Sequence, residues 1–278
     1  MLIRNVETTQ ELQRVAAHGR LSLHRKAGRT RIAGLYQEGA AKIRMPATSG
    51  DPLEAVLINT AGGLTGGDRI AWEIVMGRDA SAAITTQACE KIYRSSGGRA
   101  EMRCSMKVGP GGHLAWLPQE TIVFDRAAFR RDLAVDLAAD AEALVVEATI
   151  FGRRAMGEAV DRAEFRDRWR VRRGGKLVHA EDFAIGPEIA ATLARSAVTG
   201  GAVALATVLL VSDRAAQHLD HARAIIGDQG GASCWEVAGS GKLLARLYAE
   251  DGYELRKRLV PVIELLNGRA GLPKLWSL

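Results

Sequence analysis

Apolar and polar residues alternate with a period of two along most of the chain between about residues 19 and 211. Successive side chains of a β-strand point to opposite faces, so this period predicts half-buried strands. Glycine-rich turns interrupt the alternation at short intervals, and many short strands at such spacing are typical of an all-β body. Strands are predicted at 53–58, 70–75, 82–86, 102–108 and 114–124, with further alternation at 133–137 and 145–149.

A β-hairpin is predicted between residues 163 and 183, because Gly174-Gly175 suits a turn that needs positive φ at both central positions. Apolar residues of its first strand share one face, and four arginines share the other. These arginines are Arg166, Arg168, Arg170 and Arg172. They favour a solvated outer face, and the alternative is an arginine ladder that docks an acidic partner surface.

After Gly186-Pro187 the pattern changes to a helical period. Asp213 is predicted to cap a helix that ends at Gly227 and carries an apolar stripe. A second helix is predicted over 252–266, and Pro261 should kink or divide it. Because no linker separates these helices from the strands, we predict one domain over 1–278, with strands over about 20–211 and a helical subregion over about 186–278.

Composition and charge exclude few classes of protein. The chain has 278 residues, is 47% hydrophobic and 25% charged, and carries a formal net charge of +6. These values are those of a globular protein and argue against disorder. The basic residues are spread along the chain, so an adaptor for nucleic acid is only a minor alternative and we expect no nucleic-acid partner.

The cysteines and the apolar runs indicate an intracellular setting. Cys89, Cys104 and Cys234 are odd in number and widely spaced, which favours reduced thiols over a disulfide framework. Residues 1–20 lack the apolar core of a signal peptide, and the apolar run at 202–211 is too short to span a bilayer. We therefore expect a cytoplasmic protein without a membrane partner.

The segment 116–125, Trp-Leu-Pro-Gln-Glu-Thr-Ile-Val-Phe-Asp, carries two carboxylates in a strand-like run. Glu120 and Asp125 have opposite parity, so a flat strand would point them to opposite faces. They are either buried groups that close hydrogen bonds in a turn or the acid/base pair of a carbohydrate-active β-rich enzyme. No nucleophile, histidine base or cysteine cluster stands beside them in the sequence.

Two further motifs invite a ligand hypothesis. The glycine-rich segment 62–68 lacks the Gly-Lys-Ser/Thr of a phosphate loop, and Asp68 would repel phosphate, so a tight inter-strand loop is preferred. His218 and His221 are three residues apart and share a face of the predicted helix. Two imidazoles do not close a nickel or zinc site, so a surface or interface pair is the better interpretation.

Five segments, in order, resemble the urease accessory protein D family (UreD, called UreH in some bacteria). The matching segments are 59–68, 85–95, 116–125, 151–158 and the hairpin from Arg168 to Leu177. The Leu-Pro-Gln-Glu-Thr-Ile run is the most specific of them. The resemblance covers about residues 20–210 well and the C-terminal part loosely.

The resemblance implies a non-enzymatic maturation factor with a β-helix-like fold of stacked sheets, many short strands and a small helical C-terminal subregion. Family members act as a scaffold or chaperone that binds apo-urease and the accessory F protein, and F recruits the nickel-loaded GTPase, accessory G. Nickel is thought to reach urease through a passage inside the D-type protein. No tightly bound cofactor is expected, and nickel is a transient cargo.

Matched onto this chain, the resemblance assigns the nickel passage to Asp68, Glu120 and Asp125. Many family members carry His-Pro-Pro before the Gly-Gly of the first segment, whereas this chain has Asn59-Thr60-Ala61. A metal contact by that histidine therefore cannot be carried over. The partner-binding candidates are Arg166, Arg168, Arg170 and Arg172, together with His218 and His221.

Overall fold

The computed structural model describes residues 13–46, 50–153, 157–268 and 271–276. Within this part of the chain the structure is mostly β-strand. Parts of two sequence-based expectations, the absence of a signal sequence in residues 1–20 and the family match at 151–158, concern residues 1–12 and 154–156 and lie outside the described residues. None of the described helices is both long and apolar enough to cross a bilayer.

The strands of the first half alternate between two sheets, as in a β-solenoid. They are β1 (Ala16–Lys26), β2 (Arg29–Glu38), β3 (Ala41–Arg44), β4 (Leu53–Asn59), β5 (Arg69–Met76), β6 (Ser81–Thr86), β7 (Glu90–Ile92), β8 (Ala100–Val108), β9 (His113–Leu117) and β10 (Thr121–Val123). The strands β5 and β8 lie in one sheet, and β4, β6 and β9 lie in the other. Neighbours within each of these two groups pair in parallel, so each turn of the chain adds one strand to both sheets.

The second half completes both sheets and adds the helices. Its strands are β11 (Ala128–Leu137), β12 (Glu142–Phe151), β13 (Glu164–Arg173), β14 (Lys176–Ile185), β15 (Ala204–Val211), β16 (Gly230–Val237) and β17 (Ser240–Ala249). Its α-helices are α1 (Ile189–Leu193), α2 (Leu219–Ile226) and α3 (Gly252–Asn267), and short 3₁₀ helices span Ala215–His218 and Lys274–Trp276. The stacked-strand fold and the helix near the C-terminus confirm the predicted fold class.

The two sheets pack face to face. The seven-stranded sheet has the order β14-β13-β11-β8-β5-β1-β2. The ten-stranded sheet runs from β16 through β17, β15, β12, β9, β6 and β4 to β3, and off this path β10 pairs with β12 and β7 pairs with β10. One apolar core fills the space between the sheets, and a second lies between the ten-stranded sheet and α2 and α3. The molecule therefore has three layers, and the middle layer receives side chains from both neighbours.

Four local expectations are corrected by the structure. The strand predicted over 114–124 breaks at 118–120 into β9 and β10, and Pro118 lacks the N–H that a continuous ladder needs. Asp213 caps no helix; its carboxylate pairs with Arg173, and α2 begins at Leu219. Pro261 does not divide α3, because a buried apolar stripe packs the whole helix against the sheet, and the alternative of a kink at Pro261 stays a prediction. The expected helical subregion also contributes β16 and β17.

Candidate functional site

Three charged side chains contact one another between the two sheets, in a core that is mostly apolar. Arg131 of β11, Glu147 of β12 and Asp167 of β13 are 1%, 4% and 6% exposed. Arg131 and Asp167 are register partners on neighbouring parallel strands of the seven-stranded sheet, whereas Glu147 reaches in from the facing sheet. We call these three residues the inter-sheet triad.

The Arg131 guanidinium joins the two sheets. Its Nε and Nη2 donate to Asp167 Oδ1 and Oδ2 at 3.0 and 2.5 Å, so this contact is bidentate. Its Nη1 lies 2.5 Å from Glu147 Oε2 and donates to Thr121 Oγ1 at 3.2 Å. The Trp116 indole Nε1 donates to the other oxygen of Glu147, Oε1, at 2.9 Å. Asp167 thus holds the guanidinium by two contacts and Glu147 by one.

Burial sets the protonation of this site. It raises the pKa of Glu147 to about 7, and the nearby Asp167 adds to this effect while Arg131 and Trp116 oppose it. Burial alone would lower the pKa of Arg131, but the charges of Asp167 and Glu147 outweigh it and raise that pKa above its usual value. Arg131 is therefore always charged, whereas Glu147 titrates near neutral pH.

Two cavities meet at the triad, because Glu147 lines both of them. The first, here the Asn59 cavity, has a volume of about 180 Å³ and is also lined by Asn59, Trp116 and Arg131. The second, here the Trp169 cavity, has a volume of about 430 Å³ and is also lined by Asp167 and Trp169. The triad thus stands between an opening beside 86–91 and one beside 246–248.

The Asn59 cavity carries a carboxyl group and a thiol that are both protonated more readily than usual. Asn59 Nδ2 donates to Glu90 Oε1 at 3.0 Å, and burial raises the pKa of Glu90 to about 7 against the effect of this hydrogen bond. Burial, with the charge of Glu120, raises the pKa of Cys89 to about 11. Cys89 is therefore a neutral thiol in the metal-free protein.

The Trp169 cavity is lined mainly by aromatic and aliphatic side chains. An ion pair lies at its mouth, where Arg246 Nη2 donates to both Glu181 oxygens at 2.8 and 2.6 Å. Tyr248 and Val198 line the mouth and are exposed. The buried indole N–H of Trp169 has no hydrogen-bond acceptor among the described residues. Glu147, Asp167 and this N–H group are thus buried polar groups that face a mainly apolar cavity.

Glu120, predicted as a passage carboxylate, binds the C-terminal helix. Its Oε1 and Oε2 accept from Arg256 Nε and Nη2 at 2.6 and 2.8 Å, and the Cys89 thiol donates to Oε2 at 3.4 Å. Burial alone would raise the pKa of Glu120, but Arg256 outweighs it and the pKa is lowered. The indole of Trp276 donates to the Leu117 carbonyl at 2.9 Å. The Leu-Pro-Gln-Glu segment thus anchors α3 and the residues that follow it.

Asp68 and Asp125 hold loops through backbone hydrogen bonds. Asp68 accepts from the N–H groups of Val15 and Thr65, both at 2.8 Å. Asp125 Oδ1 accepts from the N–H groups of residues 161 and 162, both at 3.0 Å. The part of the chain that the structure describes contains no group of three or more histidine, cysteine or acidic side chains placed to hold a metal ion. The role of Asp68, Glu120 and Asp125 in nickel passage stays a prediction.

The glycine-rich loop before Asp68 packs tightly against the chain at 91–98. A Cβ atom on Gly63, whose φ is +152°, would lie 2.6 Å from the Lys91 carbonyl oxygen. A Cβ atom on Gly66 would lie 2.3 Å from the Gly97 carbonyl oxygen. Glycine is required at these positions for close backbone approach, in agreement with the predicted inter-strand loop.

The predicted hairpin is present as β13 and β14, and Gly174 and Gly175 have φ values of +56° and +79°. The four predicted ladder arginines of β13 lie on the outward face of the seven-stranded sheet, whereas Arg173 at the end of the strand is buried. Arg166 binds Asp182 through two contacts, Arg168 pairs with Asp132 at 2.7 Å, and Arg170 donates to main-chain carbonyls. Arg172 is exposed, His218 is the N-cap residue of α2, and His221 is exposed within α2. Their partner-binding role stays a prediction.

The triad was not predicted from the sequence, although a signal for it exists there. Arg131 has the parity of the buried Phe129 and Leu133, and Asp167 has the parity of the buried Phe165 and Trp169. A charge on the apolar face of a strand is unusual unless it is paired. Searching each strand for charges of the wrong parity would have found both residues.

Comparison with known proteins gives a consistent result. A family model described as UreD urease accessory protein matches residues 15–277. The urease accessory protein UreD of Mesorhizobium japonicum is 65% identical over 266 residues, which cover 96% of this chain and 95% of the relative. The urease accessory protein UreD 1 of Brucella anthropi is 58% identical over 282 residues, with 100% of each chain covered. The urease accessory protein UreD of Brucella suis is 56% identical over 278 residues, again with 100% of each chain covered.

Proposed function

Because this chain belongs to the UreD urease accessory protein family, we propose that its role in urease maturation is to convey nickel to apo-urease within a complex of accessory proteins. In this proposal the chain is a scaffold without an enzymatic activity of its own. It binds apo-urease and the accessory F protein, and F brings the nickel-loaded GTPase, accessory G. Nickel is the cargo and is not retained.

The observation that carries the nickel-delivery part of the proposal is the meeting of two cavities at one buried carboxyl group. Glu147 is the side chain that both the Asn59 cavity and the Trp169 cavity share. An apolar core between two sheets has no packing reason to hold a carboxylate, an arginine and a second carboxylate. A route for a cation between the two openings gives these charged side chains a functional reason to be there.

The ligand chemistry along this route suits transit. Thiolates and imidazoles bind nickel more tightly than isolated carboxylates do. The Cys89 thiol is protonated in the metal-free protein, and the cavities offer the oxygen atoms of Glu90, Glu147 and Asp167 one or two at a time. A conducting site has to bind its ion well enough to admit it and weakly enough to release it. Isolated oxygen ligands meet both requirements.

The outward face of the seven-stranded sheet is the surface that we propose for partner binding. Parallel sheets are usually covered on both faces, and here the outward residues of β8, β11 and β13 are exposed or half-buried. The ladder Arg166, Arg168, Arg170 and Arg172 makes part of this face basic. An acidic partner surface would complement it and would associate faster at low salt.

The experiment that tests the proposal uses cells that carry a complete urease operon. We compare urease activity and urease-bound nickel with this gene present, deleted and restored. Deletion is expected to leave assembled but nickel-poor and inactive urease, and restoration is expected to rescue both quantities. Urease that is fully loaded without this protein would contradict the proposal.

A second arm of this experiment separates nickel transit from complex assembly. Glu147→Gln removes the negative charge that both cavities share and keeps the side chain's size. It is expected to lower urease nickel severalfold while the variant still co-purifies with apo-urease. The control is Glu54→Gln, because Glu54 is also a buried carboxyl group on the ten-stranded sheet but lines neither cavity. Equal nickel loading in the two variants would remove Glu147 from the route.

A further inference from the structure

We propose that Arg131 is the resident counter-ion of this route: its guanidinium occupies the Glu147–Asp167 carboxylate pair between transits, and a passing divalent cation takes its place at Glu147. This inference rests on the proposed function. It names a regulating residue within the route, and it assigns to Arg131 the task of preventing a metal ion from being trapped.

The position of the guanidinium supports this role. Arg131 lines the Asn59 cavity, Asp167 lines the Trp169 cavity and Glu147 lines both. A cation that moves from one cavity to the other must therefore pass the contact between Arg131 and Glu147, which is 2.5 Å long. The guanidinium closes the junction sterically, and its charge opposes a second cation there.

The charges show what the site would be without this arginine. Two carboxylates and one guanidinium sum to −1 when Glu147 is ionised. Without Arg131 the same place would hold two buried carboxylates with no counter-ion, and such a pair either takes up a proton or binds a cation. Carboxylate oxygens are ligands for divalent ions, so the bare pair would be a retention site. Arg131 competes for these oxygens and keeps metal affinity low.

Arg131 makes more contacts to Asp167 than to Glu147, so it can release Glu147 while it stays bound to Asp167. Arg131 makes two hydrogen bonds to Asp167 on the neighbouring strand of its own sheet, at 3.0 and 2.5 Å. It meets Glu147 of the facing sheet through one nitrogen only. A cation that binds Glu147 therefore breaks one contact, while the bidentate pair with Asp167 holds the guanidinium nearby. When the cation leaves, the same arginine closes the junction again.

The test measures nickel retention by the purified full chain. Arg131→Met removes the charge and keeps much of the side-chain volume. The matched control is the triple variant Arg131→Met, Glu147→Gln, Asp167→Asn, which has the same methionine but no carboxylates. Arg131→Lys is the second control, because it keeps the positive charge at the junction.

Each protein is incubated with NiCl₂ and passed through a desalting column, and bound nickel is measured by mass spectrometry. Arg131→Met is expected to retain about one nickel ion per chain and to bind it at least roughly tenfold more tightly than the wild type, the lysine variant and the triple variant do. Its melting temperature should also rise with NiCl₂, and that of the triple variant should not. Equal retention in Arg131→Met and the triple variant would overturn the inference.

A pair of variants keeps the test decisive if Arg131→Met does not fold. The double variant Arg131→Met, Asp167→Asn leaves one unpaired carboxylate and differs from the triple variant only at residue 147. It is expected to retain more nickel than the triple variant, and equal retention would overturn the inference.

The operon cells distinguish failure of this inference from failure of the proposed function. If deletion of the gene leaves urease nickel-poor but Arg131→Met retains no more nickel than the triple variant, the proposed function stands and the counter-ion role is wrong. If Arg131→Met retains nickel but urease is fully loaded without the gene, the retention site stands and the delivery role is wrong.

Discussion

Arg256 and Arg131 both contact buried carboxylates, and the two sites differ in what surrounds the arginine. Arg256 satisfies both oxygens of Glu120, whose pKa is lowered, and the arginine side chain is 26% exposed. Arg131 is buried, serves two carboxylates and leaves Glu147 with a raised pKa beside two cavities. The Arg256–Glu120 pair is closed, because both carboxylate oxygens are satisfied, and it fastens one element to another. The triad has two carboxylates for one guanidinium and lies beside two cavities, so it can exchange its cation.

The largest stability effect is expected from breaking the closed pair. The Glu120 side chain is 2% exposed, so Arg256→Ala leaves a buried carboxylate without its cation. Losing one partner of a buried pair costs about 3 kcal/mol of unfolding free energy. Urea denaturation followed by circular dichroism measures this loss. Lys257→Ala on the same helix is the control, because its exposed pair with Glu254 should contribute nothing measurable. Similar midpoints for the two variants would show that Glu120 does not need Arg256.

A smaller effect is expected from the titration of Glu147 and Glu120. The two carboxyl groups should change the free energy of unfolding with pH in opposite directions. The folded-state pKa of Glu147 is raised to about 7, so its stabilising effect is present below the unfolded pKa of about 4.5 and is lost as pH rises through 7. Relative to Glu147→Gln, the wild type should lose about 2 kcal/mol between pH 5.5 and 8.5. The folded-state pKa of Glu120 is lowered, so its contribution is present above the unfolded pKa and is lost as pH falls through the folded pKa.

Urea denaturation of the wild type and Glu147→Gln from pH 5.5 to 8.5 checks the first sign, and that of the wild type and Glu120→Gln from pH 5.5 down through the unfolded pKa of about 4.5 checks the second. Glu90, whose pKa is also raised to about 7, is present in all three proteins and cancels in the differences. If the wild type and Glu147→Gln lose stability in parallel from pH 5.5 to 8.5, Glu147 does not titrate in this range and the contrast with Glu120 disappears.

A still smaller effect is expected when one hydrogen bond of the triad is removed. Trp116→Phe keeps the aromatic ring but deletes the Nε1 donor that lies 2.9 Å from Glu147 Oε1. The ionised form of Glu147 loses a partner, so its pKa should rise further and the protein should lose about 1 kcal/mol above pH 8. Below pH 6 the loss should be smaller, because Glu147 is then protonated. A loss that does not depend on pH would indicate a packing effect of the indole.

The comparison of these two sites also shows which features of the molecule could be predicted from the sequence. The hairpin at 174–175 and the end of α2 at Gly227 were predictable because each depends on a few adjacent residues. The break at Pro118 was not predicted, because alternation on both sides concealed it. Arg256 lies 136 residues after Glu120, and the triad needs the register of β11 and β13 and the packing of β12 against them. Such contacts depend on how distant segments pair and pack in three dimensions, and the spacing of residues along one sequence does not show this.

The smallest effect on stability, but a clear one on association, is expected for the exposed arginines. Arg168 pairs with Asp132 at the surface, and such pairs contribute little to folding, so charge reversal should leave the denaturation midpoint almost unchanged. If the outward face docks an acidic partner, the double variant Arg168→Glu, Arg170→Glu should bind apo-urease or the accessory F protein with an association rate roughly tenfold lower at low salt. The difference should shrink as salt is raised, because salt screens exposed charges.

Surface plasmon resonance at two salt concentrations measures these rates. The control is Arg195→Glu, Arg214→Glu, which changes the net charge by the same amount but lies outside the seven-stranded sheet. Equal slowing in both double variants would mean that net charge, and not this face, governs association. Slowing that is specific to Arg168 and Arg170 would separate the two arginine populations, because buried Arg131 would then act on the cargo and the exposed ladder on the partner.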